Sequence, residues 1–357
     1  MKWLKRIFTG LLAVLLLLSL LVLLVRRVNA GRIALRAEAS VDAQEYWEIN
    51  GARQYLQIRG ENRKNPLILF LHGGPGSPHA FISAYYQRQL EDEFTFVNWD
   101  QRGCGRSYYA NSSNPPVSYD LIYRDLEIIV ERLCDTYEQD KIIIMAHSWG
   151  TILGSRYAQE HPERTDRYIG IGQVWDSKLG EEMATEEAIQ RALAQGAEDE
   201  AKQMEAAYKK LYQELDRGEF HLQSVTDLRK LTINKYLDSK SSMPLCKSLW
   251  LGLSSPQMNL DDMKWFFKNS DVAEYERLFS AIFLEVQEYS LIGAEFEVPV
   301  TIMMGEEDWI TPAAMSEKYF DSLQAPEKEL VIIEKAGHVP YLDNLDAWSE
   351  SIERILN

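Results

Sequence analysis

The sequence predicts an α/β protein built on a mostly parallel sheet and interrupted once by a long helical insertion. Three observations carry that expectation. Short runs of Val, Ile, Leu and Phe, several ending in glycine, alternate with stretches of helical period, as strands buried on both faces alternate with crossover helices. One such run, "KIIIMAHSWGT" at 141–151, ends on a serine wedged between His147 and Trp149, with Gly150 behind it. From about 177 to 292 the alternation stops, giving way to helix formers with no convincing strand.

Composition narrows the function classes. At 357 residues the chain has room for one large α/β domain with an insertion, and 46% hydrophobic content excludes a disordered protein. A net charge of −16 argues against a nucleic-acid partner, because phosphate contacts need a surplus of lysine and arginine. Cys104, Cys134 and Cys246 are too few for a disulfide framework and too scattered for zinc, so neither metal nor cofactor is expected.

Taken in order, residues 1–30 form the first unit. Ile7 to Val25 carries no charge, and as a helix it spans about 30 Å, the thickness of a bilayer core. The run exceeds a signal-peptide core and is followed at once by Arg26-Arg27, so an uncleaved single-pass anchor is expected. The alternative is a secreted protein cleaved after Val28-Asn29-Ala30. Lys2, Lys5 and Arg6 nearly balance Arg26, Arg27, Arg32 and Arg36, and the short tail favours an inside N-terminus with the catalytic domain outside the cytoplasm.

Residues 44–176 form the first part of the core. "YWEINGARQYLQIRG" has the alternation and central Asn-Gly of a hairpin. "NPLILFLHGG" and "FTFVNWDQRG" are strands, and Leu121 to Cys134 recur at the spacing of an amphipathic crossover helix. "KIIIMAH", a helix over about 149–160 and "RYIGIGQV" continue the series. Residues 177–292 are the helical cap, and 293–357, with strands in "VPVTIMMG" and "ELVIIEKAG", complete the core.

The chemistry rests on Ser148. A sharp strand-to-helix turn holds a nucleophilic serine above a parallel sheet when small residues flank it at two positions on either side. Here those are Ala146, where glycine is usual, and Gly150. Such a site needs an acid and a histidine at the carboxyl ends of later strands. Asp308 follows "VPVTIMMG" and His338 follows "ELVIIEKAG". Backbone donors for a developing oxyanion are expected from Gly74 and Trp149, with Gly73 as the alternate to Gly74. The loop that supplies the glycine donor, HGGPG at 72–76, would arise by composition on the order of 10⁻⁴ times in such a chain.

HGGPG at 72–76, DQRGCGRS at 100–107, HSWG at 147–150, GEED at 305–308 and AGH at 336–338 together resemble the prolyl iminopeptidase group of α/β-hydrolase serine peptidases. The resemblance covers about 65–175 and 298–340. It implies an eight-stranded sheet, a helical cap and release of an N-terminal residue, often proline, from short peptides. By motif, Ser148 would be the nucleophile, Asp308 the orienting acid and His338 the base, with His72 and Gly73 beside the substrate. Asp100 and Arg102 would organise the wall of the site. The cap has no motif that aligns, so Glu181, Glu182, Glu186, Glu187, Glu198 and Glu205 are candidates for holding a substrate amine by charge alone. Two other functions stay open: an esterase, amidase or lactonase of small molecules, and a tethered binding protein on an inactive scaffold.

Overall fold

The computed structural model describes residues 2–114, 116–237, 245–288 and 292–357. Eight strands form one sheet: β1 (Val41–Ile49), β2 (Ala52–Gly60), β3 (Leu67–Leu71), β4 (Thr95–Asp100), β5 (Ile142–His147), β6 (Thr165–Ile171), β7 (Val300–Gly305) and β8 (Lys328–Ile333). Their order is β1-β2-β4-β3-β5-β6-β7-β8, with β1-β2 and β2-β4 antiparallel and every other neighbouring pair parallel. The Asn-Gly hairpin forms as expected. Asn50 and Gly51 both take positive φ, 45° and 72°, and Ile49 pairs with Ala52 across the turn.

The helices among the described residues are α1 (Lys2–Arg32), α2 (Ala84–Gln87), α3 (Gly105–Tyr109), α4 (Tyr119–Tyr137), α5 (Trp149–Glu160), α6 (Ser177–Ala194), α7 (Glu198–Asp216), α8 (Leu222–Leu231), α9 (Leu245–Ser254), α10 (Leu260–Asn269), α11 (Val272–Glu288), α12 (Ala313–Ser322), α13 (Pro340–Asp343) and α14 (Leu345–Leu356). Helices α6 to α11 lie between β6 and β7, where the sequence lost its strand rhythm. Helix α1 is long and apolar enough to cross a membrane and is exposed along most of its length.

The apolar runs are continuous because both faces of the sheet are covered. Leu67, Leu69 and Leu71 of β3 and Ile142, Ile144 and Ala146 of β5 face the side packed by α4 and α5. Ile68, Phe70, Ile143 and Met145 face the opposite layer with Tyr341, Trp348 and Ile352. The alternation follows the two-residue period of the strand. With no polar face on β3 or β5, the polar residues at their carboxyl ends stand out as the site.

Candidate active site

Ser148 sits between β5 and α5 at φ 51° and ψ −123°, a conformation costly for a residue with a Cβ, and its amide donates to the Ile171 carbonyl at 2.9 Å. The turn is tight because α5 lies almost on β3. A side chain at Gly150 would collide with the Leu71 carbonyl. Ala146 is fully buried, and the space for its methyl comes from Gly154, whose own Cβ would lie 2.9 Å from it. The helix has therefore absorbed the methyl that this elbow carries in place of a hydrogen.

Two loops at the same carboxyl edge of the sheet, after β7 and β8, meet Ser148. His338 Nε2 lies 2.8 Å from Ser148 Oγ, and His338 Nδ1 lies 2.9 Å from Asp308 Oδ2. Asp308 is buried and accepts from the Ile310 amide at 2.9 Å, the Thr311 amide at 3.0 Å and the Thr311 hydroxyl at 2.8 Å. A carboxylate only accepts, so the His338 Nδ1 carries its proton and the bare Nε2 accepts from the Ser148 hydroxyl. Residues predicted from three separate motifs thus stand in one hydrogen-bonded file. The Ile310 amide, two residues on, closes an Asx turn on Asp308, and Thr311, not anticipated, adds its amide and hydroxyl from the next position.

His147 holds His338 from behind. Its Nε2 donates to the His338 carbonyl at 2.7 Å, and its Nδ1 accepts from the Tyr341 hydroxyl at 3.2 Å, which lies 3.0 Å from His79 Nδ1. Burial, reinforced by the neighbouring His338 and His79 rings, pushes His147 well below its ordinary range; burial alone takes His79 to about 4. Both rings therefore stay neutral and can both donate and accept.

The HGGPG loop lies across the elbow. A Cβ on Gly73 would come within 2.9 Å of His147 Nδ1 and 3.1 Å of Ser148 Cβ, and Gly74 takes φ +118°, a region closed to other residues. Gly73, Gly74 and Trp149 all line the cavity above Ser148. Among the described residues neither the Gly74 nor the Trp149 amide donates to a backbone carbonyl. The loop is held by the cap: Trp265 Nε1 donates to the Gly76 carbonyl at 2.9 Å and the Tyr275 hydroxyl to that of Pro75 at 3.2 Å.

Three expectations are corrected. His72 does not face the cavity. Its Nε2 accepts from the Gln101 amide at 3.3 Å beneath the loop, and burial drops its pKa to about 3. Asp100 and Arg102 form no wall: Arg102 pairs with Asp125 at 2.6 Å, and buried Asp100 accepts from the Arg106 amide at 2.8 Å. The structural cation of that motif is Arg106, which clamps Asp262 of α10 with bonds of 2.9 and 2.7 Å and also reaches the Tyr55 hydroxyl and the Gln257 carbonyl. Its partner lies 156 positions away, and no local signal marks it. Of the six cap glutamates only Glu181 reaches the cavity; Glu182, Glu186, Glu198 and Glu205 are exposed, and Glu187 pairs with Arg191 at 2.7 Å.

The cavity measures about 470 Å³. Its floor is Ser148, His338 and the glycine loop, and its cap wall is apolar, with Leu211, Phe220, Val225, Ile282 and Phe283. Phe220 and Phe283 stack at 4.2 Å. Two acids interrupt that wall. Asp176 caps α6, and Glu181 accepts a two-pronged contact from Arg229, 2.7 Å from Arg229 Nε.

A serine, histidine and carboxylate at the carboxyl ends of parallel strands, under a helical lid, define a hydrolase of the α/β class. The comparisons agree: residues 66–345 match the alpha/beta hydrolase fold family, and the chain belongs to it. "Probable aminopeptidase YbaC" of Bacillus subtilis (strain 168) is 28% identical over 331 residues, covering 88% of this chain and 96% of that protein. The proline iminopeptidase of Neisseria meningitidis serogroup A is 27% identical, covering 88% and 93%. Among solved structures, a proline iminopeptidase-related protein from Thermus thermophilus shares the fold with a TM-score of 0.56 at 16% identity, covering 88% and 98%. The chain is a hydrolase whose relatives bear aminopeptidase names.

Proposed function

We propose that this hydrolase works through an acyl-enzyme on Ser148 and releases the N-terminal residue, of proline type, from short peptides. The observation that carries the reading is the Ser148, His338 and Asp308 file opening into a cavity whose cap wall holds a buried carboxylate, Glu181. His338 takes the proton of Ser148 as the oxygen attacks the scissile carbonyl, and Asp308 holds the ring's tautomer and offsets the positive charge formed. The amides of Gly74 and Trp149 receive the oxyanion, each contributing about 3 kcal/mol to the transition state. His338 then protonates the leaving amine, and water repeats the cycle on the ester. A free terminal ammonium needs a buried acceptor to leave water, and Glu181, with Asp176 at the rim, has that chemistry.

A specific observation favours a second reading. Glu181 already neutralises Arg229, and most of the remaining cap wall is apolar apart from Asp176, which suits an uncharged ester, amide or lactone. Purified enzyme assayed on proline p-nitroanilide, its N-acetyl form and a neutral ester separates the two. For an aminopeptidase, acetylation lowers kcat/KM at least tenfold, as expected for leaving a buried charged group unpaired. Glu181→Gln lowers peptide turnover and spares the ester. Equal rates on free and acetylated substrates move the assignment to the second reading. Ser148→Ala abolishes labelling by an organophosphonate in either case, and retained turnover in that variant refutes the serine mechanism.

The same proposal includes an uncleaved anchor through Ile7–Val25, with the catalytic domain outside the cytoplasm. Asn29 lies in the last turns of α1 and donates to the Ser254 carbonyl at 3.0 Å, which supports retention of this segment. Mass spectrometry of the mature protein tests it, a start at Gly31 being the contrary result.

A further inference from the structure

We propose that the cap is itself a membrane-docking element: α9 and the outer face of α10 seat in the interfacial layer of the bilayer leaflet from which α1 emerges. The proposal rests on the anchor reading above.

The first observation is depth. Helix α1 packs on α9, and Val22, Val25, Arg26 and Asn29, one face of α1, are partly covered. Arg26 donates to the Met258 carbonyl at 2.6 Å, and Asn29 to that of Ser254. Val22 and Val25 belong to the apolar run. Ile7–Leu21 alone reaches about 22 Å, short of a hydrocarbon core of about 30 Å. The run spans only if the level of Val22 to Val25 is also inside the bilayer, and that level is where α1 meets the cap.

The second observation is what the cap shows there. Leu249, Trp250 and Leu253 of α9 and Leu260, Met263 and Phe267 of α10 are between 36% and 66% exposed. On α10 the spacing of three and four puts Leu260, Met263 and Phe267 on one face, with Asp262 and Trp265 buried on the other. Exposed apolar residues on two successive helices of the cap, α9 packed on the spanning helix and α10 following it, with a tryptophan among them, match the interfacial helices that sink about 5–10 Å into the headgroup boundary. Exposed Arg27, Arg32, Arg36 and Lys247 lie close by in the chain of a protein whose net charge is −16. That local sign is the one attracted to anionic headgroups. Other exposed apolar residues, such as Leu193 at the end of α6, occur singly.

The consequence reaches the site. The buried face of α10 carries Trp265, which bonds the Gly76 carbonyl of the glycine loop, and Ser255, just past α9, bonds the Phe81 carbonyl. The surface resting on lipid is thus one hydrogen bond from the loop over Ser148.

Full-length protein in vesicles of phosphatidylcholine with a minority of phosphatidylglycerol provides the test. Single cysteines are introduced by Leu253→Cys, Phe267→Cys, Val25→Cys or Leu193→Cys in a Cys246→Ser background, Cys104 and Cys134 being buried. Each is labelled with an environment-sensitive fluorophore and challenged with lipids bearing a shallow nitroxide quencher. The labels at 253 and 267 lose emission to an extent comparable with that at 25, while the label at 193 does not. Quenching at 25 without quenching at 253 and 267 leaves the anchor intact and overturns the docking surface. Quenching at none of the four removes the anchor and the proposal with it. Equal quenching at 193 also overturns it, because the contact would then have no orientation.

Discussion

Replacing Arg106 by Met tests how the cap holds the glycine loop. The guanidinium is buried, makes two bonds to Asp262, and bonds the Tyr55 hydroxyl, the Gln44 side chain and the Gln257 carbonyl. Methionine fills much the same volume but leaves the Asp262 carboxylate buried, with the Asn259 amide at 2.7 Å as its remaining donor. Removing one partner of a buried ion pair costs about 3–5 kcal/mol, most of it the uncompensated charge. At about 2 °C per kcal/mol for a domain of this size, the variant melts roughly 6–10 °C lower. Arg106→Met with Asp262→Asn removes the stranded charge and keeps the acceptor for Asn259, so the double variant recovers at least half of that loss. Because Trp265, three residues on, positions Gly76, the single variant also loses turnover on every substrate tested. Thermal unfolding by circular dichroism alongside ester hydrolysis measures both effects. A double variant that melts no higher than the single one would refute the assignment of the cost to a buried charge.

Two further outcomes follow from buried groups. Burial, with help from Asp262, raises the Asp100 carboxyl from 3.8 to about 7. The folded protein therefore holds a proton that the unfolded chain has released between pH 4 and 7, and stability falls as pH rises through that window, by roughly 4 kcal/mol. Asp100→Asn flattens this slope in urea titrations at pH 5 and 8; an unchanged slope would locate the titration elsewhere. Gly154→Ala drives a methyl to within 2.9 Å of Ala146 and 3.0 Å of Tyr168, costing about 1–3 kcal/mol as overpacking. Adding Ala146→Gly removes only the first of these contacts and so recovers part of the loss, and no recovery at all would mean the elbow's methyl is accommodated some other way.

Features that repeat at short range could be read along the chain alone. A strand buried on both faces must be apolar throughout, so β3, β5 and β7 were legible as runs, and the Asn50-Gly51 turn was legible because its positive φ suits those residues. Ser148, Asp308 and His338 were legible too, since each directly or closely follows the carboxyl end of such a run, where parallel strands gather their loops. Other features depend on partners far along the chain and emerged only with packing. Six cap glutamates were equivalent by charge, and packing turned Glu181 alone toward the cavity, against an Arg229 that no nearby pattern announced. His72 and Arg102 lie in motifs that mark the site, yet one bonds inward to Gln101 and the other to Asp125. A side chain's local neighbours set its backbone conformation, whereas the direction it faces is set by which distant element can satisfy its charge once water is excluded.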